Sequence, residues 1–424
     1  MEKRIGWLGI ITISIFLSSS IVFADSAPDD MRAEINALKA RISQLETKLA
    51  DQEKSRNIQP PPQEPMATLD LSNVVKGISL SGFVDTSYNY NFSSPENHTN
   101  VARFFDHNAN EFNINTVGLS LQKTVSPENR VGFRTDLYFG SDAELIGSVG
   151  LGSTTDEFDL SQAYGEILMP TSNLIQGLND IDLKVGKFYT IVGAEAVASK
   201  DAWNTSRGLI FSYSQPTSHT GLLGNYVFTN SWDFSLGVVN GWDIVDDNNT
   251  AKTVLTHFGF NNIFLPHESS LTIALNGISG PEATNNNHSY RHLADIVATY
   301  KTPWKPLTLM YNFDYGHEDD FIAQDSHANW YGHAGFARVD INDQWSIAGR
   351  GEYFNDKDGV RIVSGTRARY WELTGTLEYR PWKDLITRLE YRYDDADQDV
   401  FNAHTDGALR DRQSTISTEA IFVF

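Results

Sequence analysis

From about Ile78 to Phe424 the chain alternates apolar and polar residues with a period of two, segment after segment. In DLITRLEYRYD (384–394), Leu385, Thr387, Leu389, Tyr391 and Tyr393 fall on one side of an extended chain. Ile386, Arg388, Glu390 and Arg392 fall on the other. VGFRTDLYF sets Val131, Phe133, Leu137 and Phe139 against Arg134 and Asp136, and WSIAGRGEYF sets Trp345, Ile347 and Tyr353 against Arg350 and Glu352. A helix would repeat its apolar positions every three or four residues, so this region is read as all-β. A soluble sandwich also alternates, but it turns its charged face outward and fills its core with the aromatics. The connections separate the two. Short polar turns at 126–129, 229–231, 265–269, 302–306, 342–344 and 381–384 alternate with longer loops at 92–110, 141–157, 190–218, 242–251, 280–290, 317–328, 355–368 and 395–412. Short turns on one rim and long loops on the other predict a transmembrane antiparallel β-barrel of about 16 strands.

Composition agrees. The hydrophobic fraction is 40% and the aromatic fraction 12%, too little apolar sequence for a bundle of membrane helices, so any membrane signal must be hidden in alternation. With 54 acidic against 33 basic residues the formal charge is −21, which argues against a nucleic-acid partner. The chain has no cysteine, hence neither disulfides nor a lipidated cysteine.

The one continuous apolar run opens the sequence, MEKRIGWLGIITISIFLSSSIVFADS, with Lys3 and Arg4 ahead of it; residues 1–24 read as a secretory signal cleaved after Ala24. In 29–56, Met31, Ile35, Leu38, Ile42, Leu45 and Leu49 are spaced alternately by four and three, which predicts a short α-helical coiled coil preceding the barrel. Residues 57–77 follow as a Pro-rich linker and 78–424 as the barrel domain. This order places the N-terminal segment in the periplasm and the barrel in the outer membrane of a Gram-negative bacterium. The barrel would meet lipid and lipopolysaccharide, and the coiled coil points to a homo-oligomer, a trimer being one option. The closing TEAIFVF fits the same scheme: Ile416, Ala420, Phe422 and Phe424 face lipid, and Phe422 and Phe424 form part of an interfacial aromatic girdle.

Residues 184–242 carry a more specific pattern. G-K-F-x-T-x-x-G-x-E is followed by N-x-S-R, then by Q-P-T-S-H-T-G, and then by a valine-rich strand ending N-G-W-D. Together with RGEYFNDKDGVR (350–361) and LEYRPWKDLITRLEYRYDDAD (377–397), this resembles the OmpL-like β-barrel porin family over 78–424. The resemblance implies a porin of similar size with no catalytic residues and no cofactor. It also implies that the C-terminal aromatic serves as the signal read by the barrel-assembly machinery.

A porin is selective through charges at its narrowest point. The candidate constriction is the long 190–218 connection, with Glu195, Lys200, Asp201, Trp203 and Arg207; the alternative is an external loop that covers the mouth. Pore-lining candidates on the wall are Arg134, Asp136, Glu166, Lys184, Arg350, Glu352, Glu378, Arg380, Arg388, Glu390 and Arg392. Opposed signs would either set a transverse field or pair across neighbouring strands. Acidic runs at Asp246 and Asp247, at Glu318 to Asp320, and at Asp394, Asp395, Asp397 and Asp399 read as solvated loop tips, with divalent-cation bridging to lipopolysaccharide as the other option. NDKDG (355–359) lacks full calcium-loop spacing, and His317 has no second histidine at ligand spacing, so no metal site is assigned. Ser218 and His219 have no nucleophile motif around them, and the chain is read as a non-enzyme. A second functional reading keeps the barrel but closes the pore, leaving an adhesion or envelope-tethering scaffold that acts through its coiled coil.

Overall fold

The computed structural model describes residues 36–37, 39–41, 43–44, 77–151, 157–171, 179–320, 326–403 and 408–424. It divides into two compact units, Met1–Val74 and Val75–Phe424. In the first unit the described residues are helical and exposed, while the six seam residues of the coiled coil lie outside the described residues. The signal segment 1–24 and nearly all of the linker also lie outside them.

The second unit is a closed barrel of 16 antiparallel strands. In chain order they are β1 (Ile78–Asn91), β2 (Glu111–Lys123), β3 (Val131–Phe139), β4 (Phe158–Met169), β5 (Ile181–Tyr189), β6 (Ser218–Thr229), β7 (Trp232–Val239) and β8 (Thr253–Leu265), then β9 (Ser269–Pro281), β10 (Tyr290–Lys301), β11 (Leu307–Asp319), β12 (His327–Asp340), β13 (Trp345–Asp356), β14 (Ala368–Trp382) and β15 (Leu385–Ala396). A two-stranded ribbon, β16 (Phe401–Asn402) and β17 (Leu409–Arg410), stands in the last long connection before β18 (Arg412–Val423), which returns to pair with β1. Each strand pairs with its sequence neighbours, so no backbone edge meets lipid. Among the described residues no helix is long and apolar enough to cross a membrane.

The predicted parity holds. On β15 residues 386, 388, 390, 392 and 394 are buried while Leu389 and Tyr391 are exposed, and on β18 Ile416 and Phe422 are exposed. Aromatics collect at the two ends of the outer face: Phe228 stacks on Trp232 at 4.4 Å and Trp345 on Tyr379 at 4.2 Å near the short turns. Tyr88–Phe112, Phe139–Phe158 and Tyr353–Trp371 pair near the long loops. These are the girdles of a barrel whose outer face is apolar between them.

The barrel closes at its last residue. Phe424 donates its N–H to the Gly82 carbonyl at 3.0 Å and accepts from the Gly82 N–H at 2.9 Å. Its ring lies over Gly82, where a β-carbon would come within 2.6 Å of ring carbon Cζ. Only glycine admits that ring against the first strand.

The connections differ from the sequence reading in two places. The connection from β4 to β5 spans 170–180 and is long for its rim; its turn-forming Pro170, Thr171, Asn179 and Asp180 were not separated from the strands in the sequence reading. β11 and β12 extend further than expected and reduce the 317–328 loop to residues 320–326. NDKDG is a hairpin turn: the Asp356 carboxylate accepts the N–H groups of Val360, Arg361 and Ile362 at 2.8–2.9 Å, and Gly359 sits at φ 69°.

Candidate functional site

The connection from β5 to β6, residues 190–217, is bonded to the inner face of one wall, and the residue types explain why. Arginines on alternate positions of β13 and β15 point inward, and each has more donors than one carboxylate can use. Arg350 donates to Glu372 at 2.7 Å and then to the loop, to Glu195 and the Ser206 carbonyl, both at 2.8 Å. Arg388 joins Glu378 and Glu419 at 2.8 and 2.9 Å and donates to the loop carbonyls of Ser199 and Ala202. Arg392 joins Asp394 at 2.9 Å and the Arg207 carbonyl at 2.6 Å. Wall carboxylates meet the loop's N–H groups: Glu390 accepts from Thr205 and Ser206, and Glu352 from Leu209. The loop's polar backbone is thus satisfied inside the barrel rather than by water.

This wall therefore corrects part of the pore-lining set. Arg350, Arg388 and Arg392 have 0–1% of their side chains exposed, and Glu352 and Glu390 are buried with them. They lie beneath the loop and pair on one wall, so they set no field across open water. Glu378 also gathers Arg338 and Arg380 near the short-turn rim, where Arg380 is 38% exposed. Arg207 differs again from its expected role. It donates to Ala196, Thr205 and Val197 carbonyls and lies 5.0 Å above the Phe105 ring, which folds the loop on itself. Trp203 packs edge-on to Phe336 at 6.5 Å.

The opposite wall is wetter. A cavity of about 500 Å³ lies between the loop and the inner faces of β1 to β6. Arg134, Asp136 and Lys184 border it from the wall, and Glu195, Lys200 and Asp201 from the loop, three basic and three acidic side chains. Arg134, Lys184 and Lys200 keep 30–34% of their side chains exposed. Their pairs are local: Arg134–Asp136 at 3.0 Å, Lys184–Glu166 at 3.8 Å and Lys200–Asp201 at 2.6 Å. Tyr138, Tyr164 and Tyr189 also line it.

Toward the long-loop mouth the lumen is filled by an apolar core that alternation alone did not reveal. Inward Leu255, Ile278, Leu293, Trp330, Phe354 and Tyr370 meet Val192, Leu209 and Ile210 of the loop, with Val400 and Phe401 from the ribbon side. Arg361, from the 357–367 connection, lies 4.7 Å over Trp330 and 5.6 Å over Trp242. Burial brings its pKa down to about 10. Arg103 from the 92–110 connection donates to Asp394 at 2.6 Å and pairs with Asp106. Asp394 is therefore a buried partner rather than a solvated loop tip, and Glu318, paired with Arg291 at 2.7 Å, is another. Sequence offered no signal for Arg103 or Arg361, which sit in irregular loops. Glu372 and Glu419 were accessible by parity with their neighbours. Ser218 and His219 do not act together: the serine meets Ser148 and Asp243, the histidine Thr190 and the Gly241 carbonyl.

A family model described as "Putative beta-barrel porin-2, OmpL-like" matches residues 77–424. The chain belongs to this porin family. The motif residues of 184–242 are those that make and hold the inner loop, Glu195 and Ser206 on Arg350 and Asn204 on Thr376 among them. A search of curated proteins gave no match. Among solved structures, this porin is similar to Pseudomonas putida OprB, with 10% identity, 83% of this chain and 96% of that chain covered, and a TM-score of 0.56. It is similar to an anion-selective porin from Comamonas acidovorans, with 11% identity, 82% and 99% covered, and a TM-score of 0.54. It is also similar to OmpT of Vibrio cholerae in a trimer form, with 10% identity, 82% and 99% covered, and a TM-score of 0.50. At such identities the likeness is one of fold. As a member of its family this porin is an outer-membrane channel protein.

Proposed function

We propose that small hydrophilic solutes and ions diffuse passively through this porin along the β1–β6 wall, past the inner face of the 190–217 loop. The observation that carries this reading is the cavity of about 500 Å³ whose border mixes partly exposed charges of both signs with tyrosines. Such a lining exchanges hydration for short-lived polar contacts, which suits passage rather than retention. Glu195, Lys200 and Asp201 act as the constriction, Arg134, Asp136, Glu166 and Lys184 as the facing wall, and the balance of signs makes charge selectivity weak. The net charge of −21 adds a modest cation preference at the mouths.

The domain order extends the reading: a signal over 1–24, a periplasmic coiled coil over 29–56, a linker over 57–77, and assembly into a homo-oligomer. The Vibrio cholerae trimer form supports the last of these by analogy of fold. Lipopolysaccharide and the barrel-assembly machinery are the further partners, with Phe422 and Phe424 presented to the latter. The apolar core across the mouth favours a second reading, a closed barrel that tethers the envelope through its coiled coil. Planar bilayers under a KCl gradient decide between them. Stable single-channel steps are expected, with a small cation-directed reversal potential; silence from folded barrels leaves the tether.

A further inference from the structure

The outer face of the barrel carries a group of side chains that solute passage does not use. β11 and β12 run antiparallel with Asp319 opposite His327 and His317 opposite Asn329. Alternation puts His317 and Asp319 on the outward side of β11, at the long-loop rim beyond the exposed Tyr315. The sequence offered His317 beside Glu318 and no second histidine. The pairing supplies that histidine ten positions on and turns Glu318 inward to Arg291, so the carboxylate that joins the group is Asp319.

The contacts are specific. His317 Nε2 lies 3.1 Å and His327 Nδ1 3.0 Å from the same oxygen, Asp319 Oδ1. His317 Nδ1 lies 2.9 Å from Asn329 Oδ1, which also accepts the Tyr315 hydroxyl at 3.0 Å. A neutral imidazole has one N–H. In the neutral tautomer whose Nδ1 donates to Asn329, the Nε2 of His317 turns a lone pair toward a carboxylate. A cation between them removes that conflict. The outer bond to Asn329 is the kind that sets the tautomer and aim of a metal-bound histidine.

We propose that His317, Asp319 and His327 bind a divalent transition metal of the zinc class at the outer rim, with the remaining position open to water or an external ligand. The three ligand atoms lie within 4.8 Å of one another. Tetrahedral metal–ligand bonds of about 2.0–2.2 Å set ligand atoms roughly 3.3–3.6 Å apart, so the two nitrogens move a few tenths of an ångström (~0.3 Å) off the carboxylate oxygen and toward one another, within reach of side-chain rotation. Two imidazoles and one carboxylate select zinc, nickel or copper over calcium and magnesium, which prefer oxygen-only shells.

The test uses the full-length chain expressed without a histidine tag, purified in detergent and stripped of metal. Co²⁺ is titrated against its visible absorption and Zn²⁺ by calorimetry. One saturable site is expected, unaffected by excess Ca²⁺ and weakened by about tenfold to a hundredfold in His317→Ala and His327→Ala. His292→Ala, whose ring stacks on His317 at 6.3 Å, controls for loss of a nearby histidine and should leave binding unchanged. Heat-modifiable gel mobility verifies that each variant is folded. Absence of saturable binding in the parent chain, or full retention in a folded His317→Ala/His327→Ala variant, overturns the proposal.

Discussion

The two long walls of the lumen draw on the same residue types and use them differently. On β13 to β15 and β18, arginines and carboxylates are buried under the 190–217 loop, and many of their spare donors and acceptors bond its backbone. On β3 to β5, Arg134 and Lys184 keep about a third of their side chains in the cavity and make one local pair each. A charge beneath the loop has become structure, and a charge facing the cavity remains available to a solute. Parity places a side chain inside the barrel, but what covers it decides its role.

The largest expected effect comes from breaking the covered wall. Arg350→Ala leaves Glu195 buried without its cation and Glu372 with Arg392 alone, at 3.3 Å, which costs about 3–5 kcal/mol. Urea unfolding should report that loss, and bilayer recordings should report a several-fold rise in conductance as the loop leaves the wall. Unchanged stability and conductance would mean that this wall does not hold the loop. A smaller effect is expected at the seam where the barrel closes. Gly82→Val drives a side chain into the Phe424 ring, an overpacking cost of about 1–3 kcal/mol that should slow folding into detergent micelles without altering conductance.

The open wall should respond oppositely to the covered one. Arg134→Gln with Lys184→Gln removes the partly exposed cations of two pairs whose carboxylates are buried, which costs about 1–3 kcal/mol. Reversal potentials in a KCl gradient should nevertheless shift toward cations, by about two- to fivefold in permeability ratio for a screened interaction of roughly 0.5–1 kcal/mol. No shift would remove these residues from the path.

A pH-dependent effect concerns the mouth, away from both walls. Glu282, in the connection after β9, accepts from the Trp242 N–H at 2.9 Å and Thr253 at 2.7 Å, and burial raises its pKa from 4.5 to about 7. The folded form therefore holds this proton more tightly than the unfolded form. Its contribution to stability is fully present below pH 4.5, declines as pH rises toward 7, and is lost above that. Thermal unfolding of the parent chain should show this decline between pH 5 and 8, and Glu282→Gln should flatten it.

The sequence by itself determined the barrel, its strand parity and the rim that carries the long loops. A period of two is a local consequence of strand geometry, and each strand repeats the message. It also placed Arg134, Lys184, Arg350 and Arg388 inside, because parity needs only a neighbour two residues away. Only the tertiary structure decided which of them meet water. That depended on whether 28 residues between β5 and β6 folded inward, and on pairings as distant as Glu195 with Arg350 and Arg103 with Asp394. The apolar core at the mouth was hidden for the same reason. Trp330, Phe354 and Ile210 come from three segments, and no local pattern records that they meet. His327 became a neighbour of Asp319 only when β11 and β12 paired beyond the expected loop ends. Local periodicity reports the face on which a side chain lies, whereas contacts between distant segments exist only after the chain has closed on itself.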